Sequence, residues 1–367
     1  MYLVPGFFGF STLGTLNYFC GVAAALQTSL ARRGLCAEVL ECSTRPTAFV
    51  KYRARHLAEQ VVATGGAEVD ELHFVGHSTG GLDVRQLLTP AVRLQNAELA
   101  ERIGAHTRSV TLVATPHRGT PLAQFFVSLR GRETLRLLAS EASTRGRLAI
   151  YAAAKVLQMV ASADDLLGQD ETALDMLSRH LLRNLTLDEA DPVWTFLRQI
   201  AADQGAMLLL TTEWMDHFNA AVVDRESVRY GSVVTAAPPP LGRGLLDLLR
   251  RRPLTLGAGY AILHTLSAWT PTDPSSTPVP KEVLAEVRRR LPLRVCGETN
   301  DGVVPTMSQL YGELVSAVLA DHADIVGQFR RSGTAQYTDW LPSGSHFDER
   351  NFARVWDDVA DFIARTS

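Results

Sequence analysis

The chain has 367 residues, 46% of them hydrophobic, enough for one large domain with a substantial insertion or for two domains. Its formal net charge is only −3, so neither a nucleic-acid surface nor a polyanionic substrate is expected. No uninterrupted apolar run reaches the ~18 residues of a membrane helix and no charged-then-apolar leader precedes the first strand, so a cytoplasmic location is expected.

In chain order, a strand begins near Tyr2 and leads into the loop PGFFGF. Leu16 to Arg33 reads as an amphipathic helix ending at Gly34, CAEVLE as a strand, and Pro46 to Thr64 as a helix ending at Gly65 and Gly66. The next strand, carrying Leu72, Phe74 and Val75, runs straight into GHSTGG, and a helical pattern follows from Leu82 to Leu88. That context makes the segment a nucleophile elbow: a serine hydroxyl attacks only once a base takes its proton, so the turn must push Ser78 out toward a histidine. Then comes the strand SVTLVATPHRG. Alternation of this kind points to a mostly parallel sheet with helices on both faces.

From about Thr120 to Asp224 the strand signals vanish and helical patterns such as Arg147 to Ala161 and Ala173 to Leu185 take over. An insertion this long is not expected to be loop. VRYGSVV, from Val228, reads as a return to the sheet, followed by a helical piece, Leu241 to Trp269, between the proline-rich connectors Pro238 to Pro240 and Pro271 to Pro280. The expected division is therefore a core of residues 1–119 and 226–367, with a further helical piece near 241–290, and a helical cap over 120–225. LRVCGE, from Leu293, reads as the next strand, and the chain closes with a helix presenting Phe352, Val355, Trp356, Val359, Phe362 and Ile363 on one face. The arginine triplets Arg250 to Arg252 and Arg288 to Arg290 suit helix C-termini. Cys20, Cys36, Cys42 and Cys296 lack metal spacing and read as free thiols, most of them buried.

A serine nucleophile on this architecture needs an acid and then a histidine further along. LRVCGETNDGVVP offers Asp301 in a tight turn after a strand, where sites of open α/β sheets collect, with Thr306 to Gln309 starting a helix. Two histidines fit the base. His322 stands in VLADHADIVGQF, and His346 lies between the strand-like AQYTDWL and the last helix; pattern alone leaves both open. One oxyanion donor should be the backbone N–H of Thr79, the residue after the nucleophile. His77 and His117 lie at strand ends and read as packing groups near the site.

Taken in order, GHSTGG, TPHRGTPLA, LLLTTEWMDHFNA followed by VRYGSVV, and NDGVVP through ADHADIVG resemble the bacterial triacylglycerol lipases and esterases of the α/β-hydrolase superfamily. The resemblance implies an α/β-hydrolase fold and hydrolysis of carboxylic esters by a Ser-His-Asp triad through an acyl-enzyme. In that family the histidine lies in an Asn-His-Leu-Asp motif beyond the acid, which Asp321-His322-Ala323-Asp324 matches, favouring His322. LVPGFFGF resembles the family's His-Gly-X loop with Pro5 in place of histidine, which makes Phe7 the second oxyanion donor. No cofactor is required, although similar lipases hold calcium near the histidine loop, where Asp324 and Gln328 match ligand positions. The expected partners are an ester substrate and, through the cap, a transient lipid interface. The same triad could instead transfer the acyl group to an alcohol, and a silent binding protein on this scaffold is the alternative from another class.

Overall fold

The structure, a computed structural model, describes residues 1–7, 12–13, 16–45, 48–90, 97–127, 205–240, 258–269, 280–330, 339 and 341–366. Its frame is a parallel sheet of β1 (Tyr2–Val4), β4 (Leu40–Glu41), β5 (Leu72–His77), β6 (Thr107–Val113), β7 (Arg229–Ala236) and β8 (Glu313–Leu319), in the order β4-β1-β5-β6-β7-β8. Two short strands, β2 (Thr12–Leu13) and β3 (Leu16–Asn17), pair separately. Side chains alternate across a strand, so each strand feeds two cores. Leu3, Val75, Val113 and Val233 pack with helices α1 (Val22–Ala31) and α10 (Glu349–Ala364). Tyr2, Val4, Phe74 and Leu112 face the other side, toward α2 (Val50–Ala63), α3 (Thr79–Leu88) and α4 (Ala97–His106). Helices thus cover both faces of the parallel sheet, as expected, and the final helix buries the six residues expected of it.

Several boundaries differ from the sequence reading. The first helix starts at Val22 rather than Leu16, after Gly21 in a left-handed conformation, and only Leu40 and Glu41 of CAEVLE pair. LRVCGE forms no strand. Thr299 Oγ accepts from the Cys296 amide at 2.9 Å and donates to Arg294 O at 3.1 Å, so a side chain takes backbone groups that a ladder would need. Beside β7 the place is filled by β8, the apolar run just before His322. Thr306–Gln309 makes only a 3₁₀ turn, because its side chains bond β7: Thr306 Oγ donates to Thr235 O, and Gln309 Oε1 accepts from the Thr235 amide. Of the four free thiols only Cys42 is buried; Cys20 and Cys296 are half-buried and Cys36 is exposed.

Within the expected cap, 120–225, the described elements are three helices, α5 (Pro121–Val127), α6 (Gly205–Leu209) and α7 (Thr212–Ala221). Leu209, Leu210, Met215 and Phe218 pack with Val50 and Leu82, and Phe7 and Phe49 lie against them. The helices expected at Arg147 to Ala161 and Ala173 to Leu185, the Arg250 to Arg252 triplet and most of AQYTDWL fall outside the described residues. Two helices precede the last stretch, α8 (Ala258–Ser267) and α9 (Lys281–Arg290); Arg288 to Arg290 form the last turn of α9, as expected. Among the described residues no helix is long and apolar enough to cross a membrane.

Candidate active site

Strand β5 is wholly buried and ends at His77; Ser78 then turns the chain at φ 55°, ψ −130°, and α3 begins at once. A non-glycine residue in this region is strained, which suits a serine that must stand clear of the backbone. The Ser78 amide donates to Val113 O at 2.8 Å, pinning the turn to β6. Gly80 is needed because any Cβ there would collide with Val4 O. The loop after β1 therefore lies directly on the elbow: a Cβ on Gly6 would sit 2.7 Å from Ser78 Cβ. This brings the segment with the expected donor Phe7 beside Ser78 and Thr79.

Asp301 is fully buried at the end of β7, although the strand expected before it is absent. Its Oδ1 accepts from the amides of Val303 at 3.0 Å and Val304 at 2.8 Å. Its Oδ2 accepts from Thr235 Oγ at 2.8 Å, Gln309 Nε2 at 3.2 Å and His322 Nδ1 at 2.8 Å. The carboxylate is thus held in one orientation. Since a carboxylate only accepts, Nδ1 of His322 carries the ring proton and Nε2 is left as a proton acceptor. The His322 amide also donates to Asp301 O at 2.9 Å. Helix α8 buttresses the turn: Asn300 donates to His264 O, Ser267 Oγ to Val303 O, and the Tyr260 ring lies against Gly302. His346, by contrast, is exposed and makes no hydrogen bond to these residues. Ser78 Oγ and His322 Nε2 are not hydrogen-bonded to each other, a contact that commonly tightens only around substrate.

Two buried polar groups fix the loop after β1. Arg53, only 1% exposed, pairs with Asp83 through Nε at 2.9–3.0 Å and donates to Pro5 O at 3.2 Å, Gly6 O at 2.9 Å, Arg45 O at 2.9 Å and Thr79 Oγ at 3.2 Å. One guanidinium thus ties the loop to the first residue of α3. Tyr18 OH accepts from the Gly6 amide and meets His77. Burial, then the nearby charge of His322, holds His77 well below the usual histidine range, and burial beside Arg85 does the same for His117. Both imidazoles are therefore neutral, and both are hydrogen-bonded, His77 to Tyr18 and the His322 carbonyl and His117 to Arg85. The sequence reading missed Arg53, although it stands on the apolar stripe of Val50, Ala54, Leu57 and Val61, and a cation on such a stripe is a signal. Thr235, Gln309 and Tyr18 carried no such signal.

A second cluster lies beside His322. One carboxylate oxygen from each of Asp321, Asp324 and Asp339 falls within 4.8 Å of the others. Ser343 donates to Asp321 at 2.7 Å and Ser345 to Asp324 at 2.6 Å. Burial, reinforced by the neighbouring carboxylates, pushes Asp321 well up, Asp324 to about 7, and burial pushes Asp339 to about 6. Three hard oxygen donors that repel one another when ionised fit a cation such as calcium. Asp324, one of the two expected ligands, belongs to this group. Gln328, the other expected ligand, donates through Nε2 to Asn17 O at 2.6 Å and Tyr18 O at 3.2 Å, and its Oε1 is the atom that could meet a cation.

No family model matches the chain, and no curated protein matches it in sequence. Solved structures do. Lipase 1 from Pelosinus fermentans and Staphylococcus hyicus lipase each align over 100% of this chain at 17% identity and TM-score 0.51, covering 98% and 95% of their own lengths. EstA from Clostridium botulinum aligns over 99% of this chain and 86% of its own at 19% identity and TM-score 0.55. With the sheet order, the strained elbow and the carboxylate–histidine pair already established, the chain has the α/β-hydrolase fold found in these bacterial lipases and esterases.

Proposed function

We propose that the chain is a carboxylic ester hydrolase of lipase or esterase type, with Ser78 as nucleophile, His322 as base and Asp301 as its orienting acid. The observation that carries this reading is the 2.8 Å contact between His322 Nδ1 and a carboxylate held by four further donors, on a loop bonded to the residue before Ser78. His322 Nε2 takes the Ser78 proton as Oγ attacks the ester carbonyl. The tetrahedral oxyanion is held by the Phe7 and Thr79 amides, His322 returns the proton to the leaving alcohol, and water then releases the acid by the same steps. Arg53 and Tyr18 serve this chemistry by fixing the loop's backbone in advance. The apolar side chains of α6 and α7 beside Phe7 suit the acyl half of the substrate.

Calcium, when bound, supplies charge balance rather than chemistry: Asp321, Asp324 and Asp339 would hold it, fixing the strand-to-histidine loop. A lipid interface as partner, through the cap, is part of the same reading. The test is fluorophosphonate labelling with hydrolysis of p-nitrophenyl esters of increasing acyl length, in wild type and Ser78→Ala. Labelling and hydrolysis lost together in Ser78→Ala are expected; undiminished labelling of that variant would move the nucleophile elsewhere.

A further inference from the structure

Three hydrogen bonds run in line through the buried side chains of Tyr18 and His77. The Gly6 amide donates to Tyr18 OH at 2.9 Å, Tyr18 OH lies 2.7 Å from His77 Nδ1, and His77 Nε2 lies 3.0 Å from the backbone oxygen of His322. Their direction follows from the far end, because a carbonyl can only accept and a neutral imidazole has a single ring proton, while the phenol oxygen that accepts from the Gly6 amide still has its own proton to give. Tyr18 therefore gives its own proton to Nδ1, and His77 carries its single ring proton on Nε2. Burial keeps the phenol protonated and the imidazole neutral, so no member drops out as pH changes. The line is anchored at its middle: Gln328 binds the carbonyls of Asn17 and Tyr18, and the Cys20 amide donates to Val326 O at 2.8 Å. The segment carrying Tyr18 is thus stitched to the segment just after His322.

We propose that Tyr18 and His77 are positioning residues that couple the oxyanion loop to the base, one end holding the Gly6–Phe7 backbone at Ser78 and the other holding the main chain of His322. The inference rests on the triad and oxyanion reading given above. His77 touches neither substrate nor the Ser78 oxygen in this scheme. Its two nitrogens act as a rigid accept-and-donate spacer, which explains a histidine next to the nucleophile that takes no part in proton transfer. Since both ends act on transition-state geometry, disturbance should appear in kcat more than in KM.

Tyr18→Phe, His77→Leu, their double variant and His77→Gln are compared for ester hydrolysis, and the ring tautomer of His77 is read in the wild-type protein by nitrogen NMR. Glutamine offers one acceptor and one donor at a spacing close to that of the imidazole. We expect Tyr18→Phe and His77→Leu each to lower kcat by ~10-fold or more with KM little changed, the double variant to be no worse than the poorer single, and His77→Gln to recover most of the rate. In the spectrum His77 should be the Nε2–H tautomer and not titrate between about pH 5 and 9. A Nδ1–H or titrating His77, multiplying losses in the double variant, or a glutamine variant as slow as the leucine one would each overturn the coupling. The spectrum requires no variant to fold. Ser78→Ala is labelled alongside: retained labelling would sink the triad reading and the coupling with it, whereas normal loss of labelling with an unimpaired Tyr18→Phe would sink the coupling alone.

Discussion

Replacing Arg53 with methionine keeps much of the side chain's volume and removes the donors that reach Asp83, Pro5 O, Gly6 O and Arg45 O. Both members of the ion pair are 1% exposed, and burial raises the Asp83 carboxyl even with Arg53 against it, so desolvation outweighs their attraction. Breaking such a pair from one side typically costs about 3–5 kcal/mol, because the remaining charge is stranded. Each carbonyl left without a donor adds up to ~1–3 kcal/mol unless water reaches it. We expect Arg53→Met to lose roughly 4 kcal/mol in urea denaturation, and addition of Asp83→Leu to return more than half of that, since it removes the stranded acid. Activity should behave differently. Losing an oxyanion donor costs ~10²–10³ in kcat, and a loosely held one should cost about 10–100-fold, so the double variant should be stable yet slow. A double variant with both stability and kcat restored would refute the positioning role of Arg53, and additive stability losses would refute the stranded-charge argument.

His322→Ala should lose nearly all hydrolysis while His346→Ala keeps more than about a tenth, since removing a triad base costs far more than changing an exposed neighbour; steady-state rates on one p-nitrophenyl ester decide this, and the opposite ranking would move the base to His346. Asp301→Asn puts an NH2 where an oxygen now accepts from Thr235, Gln309 and His322, so it loses accepted bonds and favours the wrong His322 tautomer; kcat should fall by ~10³–10⁴ and the melting temperature should fall with it. For the acidic cluster the sign follows from pKa values raised in the folded state to about 7 for Asp324 and about 6 for Asp339, against ~4 unfolded. Without a cation, the stability these groups contribute is present below about pH 4 and lost as pH rises through about 7. Thermal melts in chelator should fall across that window, and added calcium should raise the melting temperature more at pH 8 than at pH 5; melts indifferent to calcium at both values would remove the site.

What the sequence disclosed tracks how local each feature is. The elbow is written in a continuous string, strand to GHSTGG to helix, so Ser78 could be read directly. Asp301 was found for a partly wrong reason: the turn was recognised, but the strand before it does not exist, because Thr299 closes the backbone of LRVCGE on itself. His322 and His346 looked alike until resemblance separated them, since the contact that distinguishes them spans 21 residues and depends on Thr235 and Gln309 holding the acid. Tyr18 was hidden by its neighbours. It sits in a stretch with helical periodicity, and its partner His77 lies 59 residues away, a separation that no pattern reports.

These long-range contacts also bear on a point where the loop after β1 differs from the lipases that the sequence resembles. Where those lipases have a histidine before the glycine of this loop, this chain has Pro5, which brings no side-chain donor and no backbone N–H. Whatever a histidine side chain would order must here be ordered through the main chain. Arg53 does so by binding the carbonyls of Pro5 and Gly6, and Tyr18 does so by accepting from the Gly6 amide. A proline suits that arrangement, because its fixed φ removes freedom from a segment that is held by its carbonyls. Pro5→His should therefore give no higher kcat on a p-nitrophenyl ester while Arg53 is present, because the Pro5 and Gly6 carbonyls and the Gly6 amide already have their partners; a clear gain in rate would refute this.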